Sequence, residues 1–371
     1  GGALTYDGNA DSTVTETTMT GALVGITNAG TLTNDTYTAE TGAMTVTNSG
    51  KLSAGKYTAK AGTMGIINQG MIENGKYTSR GDLTYTGSAE ASLTDGTLIS
   101  EEGKAKVTAH GVLRIKKLSA KDSATVKADH DVTLTEAEAG TFAVSSGGSV
   151  KAGTLTAKAG DAAVTAKTDV KIDALKAEAG STTVEATEGK LDVTTLNAKN
   201  HAALTSGGEM EVTDANVGSV TANAGTTLHV AKLISNGEAT LTSKDEAKLD
   251  DVTAGTLAAE SKAGSVNAGT LTATAGDASV KAKTDARIGT LKAEAGAATV
   301  EAKDGAMEVT HANAGSVNAK AGTTLHVEKL VSTGEAVLMS KDEAKLDDVT
   351  AGTLKAESTA GSVRADTLTA T

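Results

Sequence analysis

A 20-residue repeat near the start of the chain constrains its fold more than any other feature. Between Asn28 and Ser79 an Asn, a Gly, an aliphatic residue and a Tyr each return at one fixed spacing. The repeated residues include Asn28, Asn48 and Asn68, together with Tyr37, Tyr57 and Tyr77. A period near 20 residues that keeps such positions in register is typical of a solenoid, in which each repeat stacks on its neighbours.

The pattern within one repeat favours β-strands. Apolar residues alternate with polar ones, as in Thr45-Val46-Thr47, and this period of two is the period of a strand. Gly or Asn interrupts the pattern every few residues, and we expect these residues to adopt the positive φ of tight corners. A helix is the alternative for segments such as Ala174–Ala179, but Gly recurs too often for a helix of ten residues. The sequence therefore predicts an all-β solenoid, a parallel β-helix with about 20 residues and three short strands per coil.

Stacked coils place equivalent residues in columns roughly 4.8 Å apart, the distance between neighbouring strands. We expect an amide ladder along Asn28, Asn48 and Asn68, and a ring stack along Tyr37, Tyr57 and Tyr77. The later part of the chain predicts aliphatic columns. These are Leu155, Leu175 and Leu196 in one column, and Val164, Val184 and Leu204 in another.

The repeats divide the chain into three zones of one continuous solenoid. Residues 1–100 hold the regular 20-residue coils, residues 101–147 hold less regular coils, and residues 148–371 hold a longer repeat. Gly-Ser-Val marks the starts of this longer repeat at 148, 264 and 361, spacings of 116 and 97 residues. The difference of 19 residues is one coil, which we place between Gly189 and Met210. Because the sequence stops within a repeat, we expect it to be a fragment of a longer chain.

Composition excludes several classes of protein. The 371 residues contain no Cys, which excludes a disulfide scaffold and a thiolate metal site. A net charge of −12 without a basic stripe opposes nucleic-acid binding. The sequence contains no run of 18 apolar residues, the length that would predict a membrane-spanning helix.

The repeat Asn-X-Gly-X-Leu, followed by an alternating strand rich in Thr and Ala, resembles the haemagglutinin repeats of filamentous-haemagglutinin-like exoproteins. The match covers Asn28 to Ser79 closely and 148–371 more loosely. The resemblance implies a right-handed parallel β-helix that two-partner secretion exports to the surface of a Gram-negative bacterium. It also implies an outer-membrane transporter as partner, self-association into fibres, and a role as adhesin or toxin stalk. A receptor on a host or neighbouring cell is part of the same expectation, and the sequence does not identify it.

Few residues are candidates for chemistry, and we expect no catalytic residue, metal or cofactor. His229 and His326 are equivalent copies roughly 24 Å apart, too far to share a metal. In Asp129-His130-Asp131, successive strand residues face opposite sides and cannot converge on one ion. Asp250-Asp251 and its copy Asp347-Asp348 leave a weak calcium corner as an alternative.

Two other function classes compete with a structural shaft. A polysaccharide-acting β-helix enzyme needs clustered carboxylates or an Arg base, whereas the four arginines are scattered singly at 80, 114, 287 and 364. An ice-binding solenoid needs an unbroken Thr-X-Thr ladder. Thr36-Tyr37-Thr38 is followed one repeat later by Lys56-Tyr57-Thr58, so this ladder is interrupted at once.

Overall fold

The structure, a computed structural model, describes residues 2–370 as 38 β-strands with no helix among them. No helix long and apolar enough to cross a membrane occurs in this part of the chain. The chain divides into two compact units, residues 1–187 and 188–371.

In the first unit, the opening coils contain three short strands each. Every strand pairs in parallel with its equivalent one coil later, so that Asn28 lies opposite Asn48 and Tyr37 opposite Tyr57. The strands of these coils are β1 (Leu4–Gly8), β2 (Thr13–Thr15), β3 (Thr18–Gly21), β4 (Val24–Asn28), β5 (Thr31–Thr33), β6 (Thr36–Ala39), β7 (Met44–Asn48), β8 (Lys51–Ser53), β9 (Lys56–Ala59), β10 (Met64–Asn68), β11 (Met71–Glu73) and β12 (Lys76–Ser79).

The rest of the first unit contains two strands per coil, because the second and third strands merge. Pairing skips one residue at the bend that replaces the lost corner; Leu134 lies opposite Ala152 and Glu136 opposite Thr154. The strands are β13 (Leu83–Gly87), β14 (Ser92–Ser100), β15 (Ala105–Ala109), β16 (Val112–Ala120), β17 (Ser123–Ala128), β18 (Val132–Ala139), β19 (Thr141–Ser146), β20 (Val150–Ala157), β21 (Ala162–Ala166), β22 (Val170–Ala177) and β23 (Thr182–Ala186).

The second unit is also built from parallel stacked coils, and four of its strands continue without a break from one coil into the next. Its strands are β24 (Leu191–Ser206), β25 (Met210–Ala224), β26 (Leu228–Ser235), β27 (Glu238–Ser243), β28 (Ala247–Ala254), β29 (Thr256–Ser261), β30 (Val266–Ala273), β31 (Ala278–Ala282), β32 (Ala286–Ala302), β33 (Met307–Ala321), β34 (Leu325–Ser332), β35 (Glu335–Ser340), β36 (Ala344–Ala351), β37 (Thr353–Ser358) and β38 (Val363–Ala370). The unbroken strands are β24, β25, β32 and β33.

The predicted all-β solenoid of parallel stacked coils is confirmed, and the Ala-rich segment from Ala174 lies in β22 rather than in a helix. The expectation of three strands per coil is correct for the opening coils and wrong from β14 onward. Inward residues alternate with outward residues along each strand, as the burial of Met44, Val46 and Asn48 in β7 shows. The interior of each unit is therefore a set of aliphatic and small residues stacked coil on coil.

The predicted role of the corner glycines is wrong. No Gly in the described residues has a positive φ; the left-handed conformation occurs instead at a column of corner residues after the second strand. This column consists of Glu16, Asn34, Ala54, Asn74 and Asp95, with φ between 53° and 57°. Gly50 has a different role, because a Cβ there would overlap the carbonyl oxygens of Gly30 and Ala29. These corners need Gly to let successive coils approach, not to turn the chain.

Candidate functional site

The three predicted asparagines lie in one internal column, at the last inward position of the first strand of each coil. All three are fully buried. The Nδ2 of Asn28 donates to Oδ1 of Asn48, and the Nδ2 of Asn48 donates to Oδ1 of Asn68, each at 2.8 Å. Each amide also donates to the carbonyl of the glycine two residues on, as Asn48 does to Gly50 at 3.1 Å. The ladder thus joins neighbouring coils and ties down the corner that follows.

Tyr-X-Gly sequences terminate this ladder at both ends. Gly87 lies opposite Asn68 in the next coil, and the hydroxyl of Tyr85 takes the place of a missing amide, accepting from Asn68 Nδ2 at 3.1 Å. A Cβ at Gly87 would lie 2.9 Å from that hydroxyl oxygen. At the other end Gly8 lies opposite Asn28, and a Cβ there would overlap the hydroxyl of Tyr6. The similarity of Tyr6-Asp7-Gly8 to Tyr85-Thr86-Gly87 is visible in the sequence, although its role becomes clear only from the packing.

The predicted tyrosines form a second buried column. The ring centroids of Tyr37 and Tyr57 are 5.5 Å apart with an interplanar angle of 11°, and those of Tyr57 and Tyr77 are 4.7 Å apart at 6°. The rings of Tyr57 and Tyr77 each pack on the glycine two residues before them; a Cβ at Gly55 would lie 2.6 Å from Tyr57 Cε2. In the coil of Tyr37 the corresponding position holds Asp35 instead of Gly.

The charge of Asp35 and the burial of the phenols determine the electrostatics of this column. Asp35 is 1% exposed, and its Oδ1 accepts a hydrogen bond from the backbone N–H of Thr17 at 2.7 Å. Burial raises the pKa of Asp35, and hydrogen bonds from the backbone of Thr17 and Thr33 oppose this only in part. Burial likewise raises the pKa of Tyr37, with the charge of Asp35 adding to the effect.

The other buried phenols behave in the same way. Burial, followed by the electrostatic effect of Tyr37, raises the pKa of Tyr57 above its ordinary value. Burial raises the pKa of Tyr85 to about 12, against the opposing hydrogen bond from Asn68. These hydroxyls stay protonated at neutral pH, so the column is suited to packing rather than to nucleophilic or base chemistry.

The predicted aliphatic residues are all buried in the interior of their own unit. In unit 1–187, Leu155 lies opposite Leu175 and Val164 opposite Val184. In unit 188–371, Leu196 lies opposite Ala215 and Leu204 opposite Ala222. Each of the six residues that the sequence predicts for these columns is at most 2% exposed.

A set of corner aspartates that the sequence reasoning missed joins successive coils. Each precedes a strand and accepts a hydrogen bond at its Oδ1 from a backbone N–H one coil later, at 2.7–2.9 Å. The pairs are Asp82 with Lys104, Asp131 with Ser149, Asp161 with Ser181, Asp277 with Ala297, and Asp285 with Ala306. The recurrence of Asp directly before a strand is the sequence signal that identifies them.

The candidate histidines pair with aspartates of the next coil. The Nε2 of His229 lies 3.1 Å from Asp250 Oδ2, and its copy His326 lies 3.1 Å from Asp347 Oδ2. The hydrogen bond from His326, with a further contribution from Lys345, lowers the pKa of Asp347. Within residues 2–370 no three His, Cys, Asp or Glu side chains come together as a metal-binding group.

Asp129-His130-Asp131 does not assemble into one ligand set. Asp129 Oδ2 lies 2.6 Å from Nδ1 of His110 in the preceding coil, and this hydrogen bond lowers the pKa of Asp129. Asp131 is instead bound to the backbone of Ser149. The two carboxylates therefore bind partners in opposite directions along the stack.

The four arginines stay apart from one another. Arg80 pairs with Glu102, Arg287 with Asp285 and Arg364 with Glu343. Arg114 lines a cavity of about 490 Å³ together with His130, Asp131 and Lys151.

Comparison of the chain with protein-family models, with characterised proteins and with solved structures gives no match in any of the three. The structure itself shows a β-solenoid of parallel stacked coils with buried Asn and Tyr columns.

Proposed function

We propose that this chain is the structural shaft of a secreted bacterial surface fibre or adhesin of the filamentous-haemagglutinin type. Its role is to span distance and to present adhesive or effector parts. An outer-membrane transporter exports it, and the surface of a Gram-negative bacterium is its location. These assignments follow from the resemblance of the 20-residue repeat.

The observation that carries the proposal is the coil-on-coil stacking of the interior. Every coil contributes strands to parallel ladders, and the Asn and Tyr columns connect coils through side chains as well. A fold of this type gains length in proportion to the number of coils, at roughly 4.8 Å per coil. Such an element suits a spacer, because length can be added without changing the packing at either neighbour.

Immuno-electron microscopy of the source cells tests the proposal. An antibody raised against this chain is expected to label thin fibres that project from the cell surface, and a strain lacking the gene gives the background. Label confined to the cell interior would contradict both export and the shaft function.

A further inference from the structure

A cavity on the outer face of unit 188–371 is lined by cationic side chains, and we propose that it binds the oxyanion group, carboxylate or phosphate, of a small molecule. The cavity has a volume of about 400 Å³ and is lined by Lys292, His311, Asn313, Lys329 and Val331 among others. Ligand pockets typically start at about 300 Å³, so one substituent or a small ring fits. This binding activity goes beyond the proposed shaft and does not depend on it.

Strand register brings these side chains together. Lys292 lies opposite Asn313, which lies opposite Val331, in one outward column. The neighbouring outward column runs through His311 to Lys329. Lys292 and Lys329 thus belong to the coils before and after His311 and Asn313, roughly 10 Å apart at the backbone. Their flexible stems allow both ammonium groups to reach a ligand lying over His311 and Asn313.

The charges of the cavity favour an anion. No carboxylate lines it, although the chain as a whole carries a net charge of −12. Lys329 Nζ is 4.0 Å from Asp348 Oδ2, the outer limit of an ion pair, and within residues 2–370 neither Lys292 nor His311 pairs with a carboxylate. Two ammonium groups, an imidazole and an amide supply charge-assisted and neutral hydrogen-bond donors for carboxylate or phosphate oxygens.

An apolar contact adjoins these donors. Val331 is 36% exposed and lies in the same outward column as Lys292 and Asn313. The carbon skeleton of a ligand can pack on this side chain and on the lysine stems while its anionic group meets the donors. The site therefore favours an organic anion over a bare ion.

The earlier copy of this segment, in the same unit, has the same arrangement of outward columns with different charges. There the outward columns run Asn197, Asn216, Ile234 and Thr195, Asp214, Lys232. Asp214 thus replaces His311, and Asn197, which belongs to the additional coil between Gly189 and Met210, lies opposite Asn216 as Lys292 lies opposite Asn313. The change substitutes a neutral side chain for one cation and an acid for the imidazole, which removes the attraction for an anion. The chain thereby contains its own matched control for the cavity.

Nuclear magnetic resonance of the histidine ring signals of the full chain tests this site. Inorganic phosphate and galacturonate are titrated separately at constant ionic strength. Saturable shifts of the His311 signal support the proposal: a response to phosphate alone indicates a phosphate-bearing ligand, to galacturonate alone a carboxylate-bearing sugar acid, and to both the shared oxyanion chemistry.

Three variants make the test specific. K292N introduces the residue that lies at the equivalent place beside Asn216, and it is expected to weaken binding about tenfold, because it removes a charge-assisted hydrogen bond. K320N removes the same charge from another face of the unit and should leave binding unchanged. N197K/D214H should give a second responding imidazole signal. Drift without saturation, equal shifts at His229, or an unchanged affinity in K292N would overturn the proposal.

Discussion

At the scale of single residues, buried polar side chains fix the register between neighbouring coils. The amides of Asn28, Asn48 and Asn68 bond to one another, and a shift of one residue would turn them out of the interior and break those bonds. Aliphatic columns tolerate small displacements more readily, because dispersion contacts have no direction. The regular zone is therefore the part of the chain whose register is most strongly specified.

Asp35 is the residue whose replacement should strengthen this zone. Its raised pKa means that the folded state holds the proton more tightly than the unfolded state, so the ionised carboxylate lowers stability at neutral pH. Asp35→Asn keeps an oxygen acceptor for the N–H of Thr17. We expect local stability to rise by about 1 kcal/mol or more at pH 7, as a buried charge is removed. The gain should shrink as the pH falls through the pKa of Asp35 towards the unfolded value of about 4.

Hydrogen exchange of the amides in β5 and β6, at pH 7 and near pH 4, measures this effect. Asp7→Asn is the control, since it removes an equal charge from an exposed position of the same unit. If Asp35→Asn exchanged faster than the parent at pH 7, the carboxylate bond to Thr17 would outweigh the cost of burial.

At the scale of the element, glycine has two roles that one pair of substitutions separates. Gly50 lies where neighbouring corners touch, whereas a Cβ at Gly65, on the outer face of β10, would meet nothing within 4 Å. Gly50→Ala should lower stability by about 1–3 kcal/mol through overpacking. Gly65→Ala should be neutral or stabilise by up to about 1 kcal/mol, because it restricts the unfolded chain.

Amide exchange again gives the readout, since effects in a stacked-coil protein concentrate in neighbouring coils. Protection should fall across β5, β8 and β11 in Gly50→Ala and stay unchanged in unit 188–371. Equal behaviour of the two variants would show that the corners relax enough to admit a methyl group.

The sequence predicts those elements whose signal is repeated, and it fails where packing between coils decides. Asn28, Asn48 and Asn68 recur without a slip, so their column follows from the 20-residue spacing alone. Ala54 gives no local sign of its left-handed φ, because Ala avoids that region and only its place between Asn34 and Asn74 explains it. The merging of two strands in β18 escapes sequence reasoning for a similar reason: its bend is the single residue Thr135, which carries no Gly or Asn signal of the kind that marks longer corners.

At the scale of the whole chain, length should change in whole coils only. The two spacings of the Gly-Ser-Val repeat differ by 19 residues, which is one coil. Every inward side chain depends on the coil before it and the coil after it, so an inserted fraction of a coil would expose the interior of all that follows in the unit. Duplication in this chain has respected that constraint.

Deleting residues 44–63 tests this constraint directly. The deletion joins Ala43 to Met64, removes one 20-residue coil, and brings Asn28 opposite Asn68 and Tyr37 opposite Tyr77 in the same register. Because each coil contacts only its neighbours, we expect the shortened chain to fold with a melting temperature within about 5 °C of the parent.

Deleting residues 44–53 instead joins Ala43 to Ala54, which places a corner residue where a strand must begin and leaves Asn28 without the amide of the next coil. That variant should lose the protected amides of β4–β12 while unit 188–371 serves as the internal reference. If both deletions folded equally well, the columns would not fix the register. If neither folded, stability would depend on contacts beyond the nearest coil, and the coil would not be the unit by which this chain changes its length.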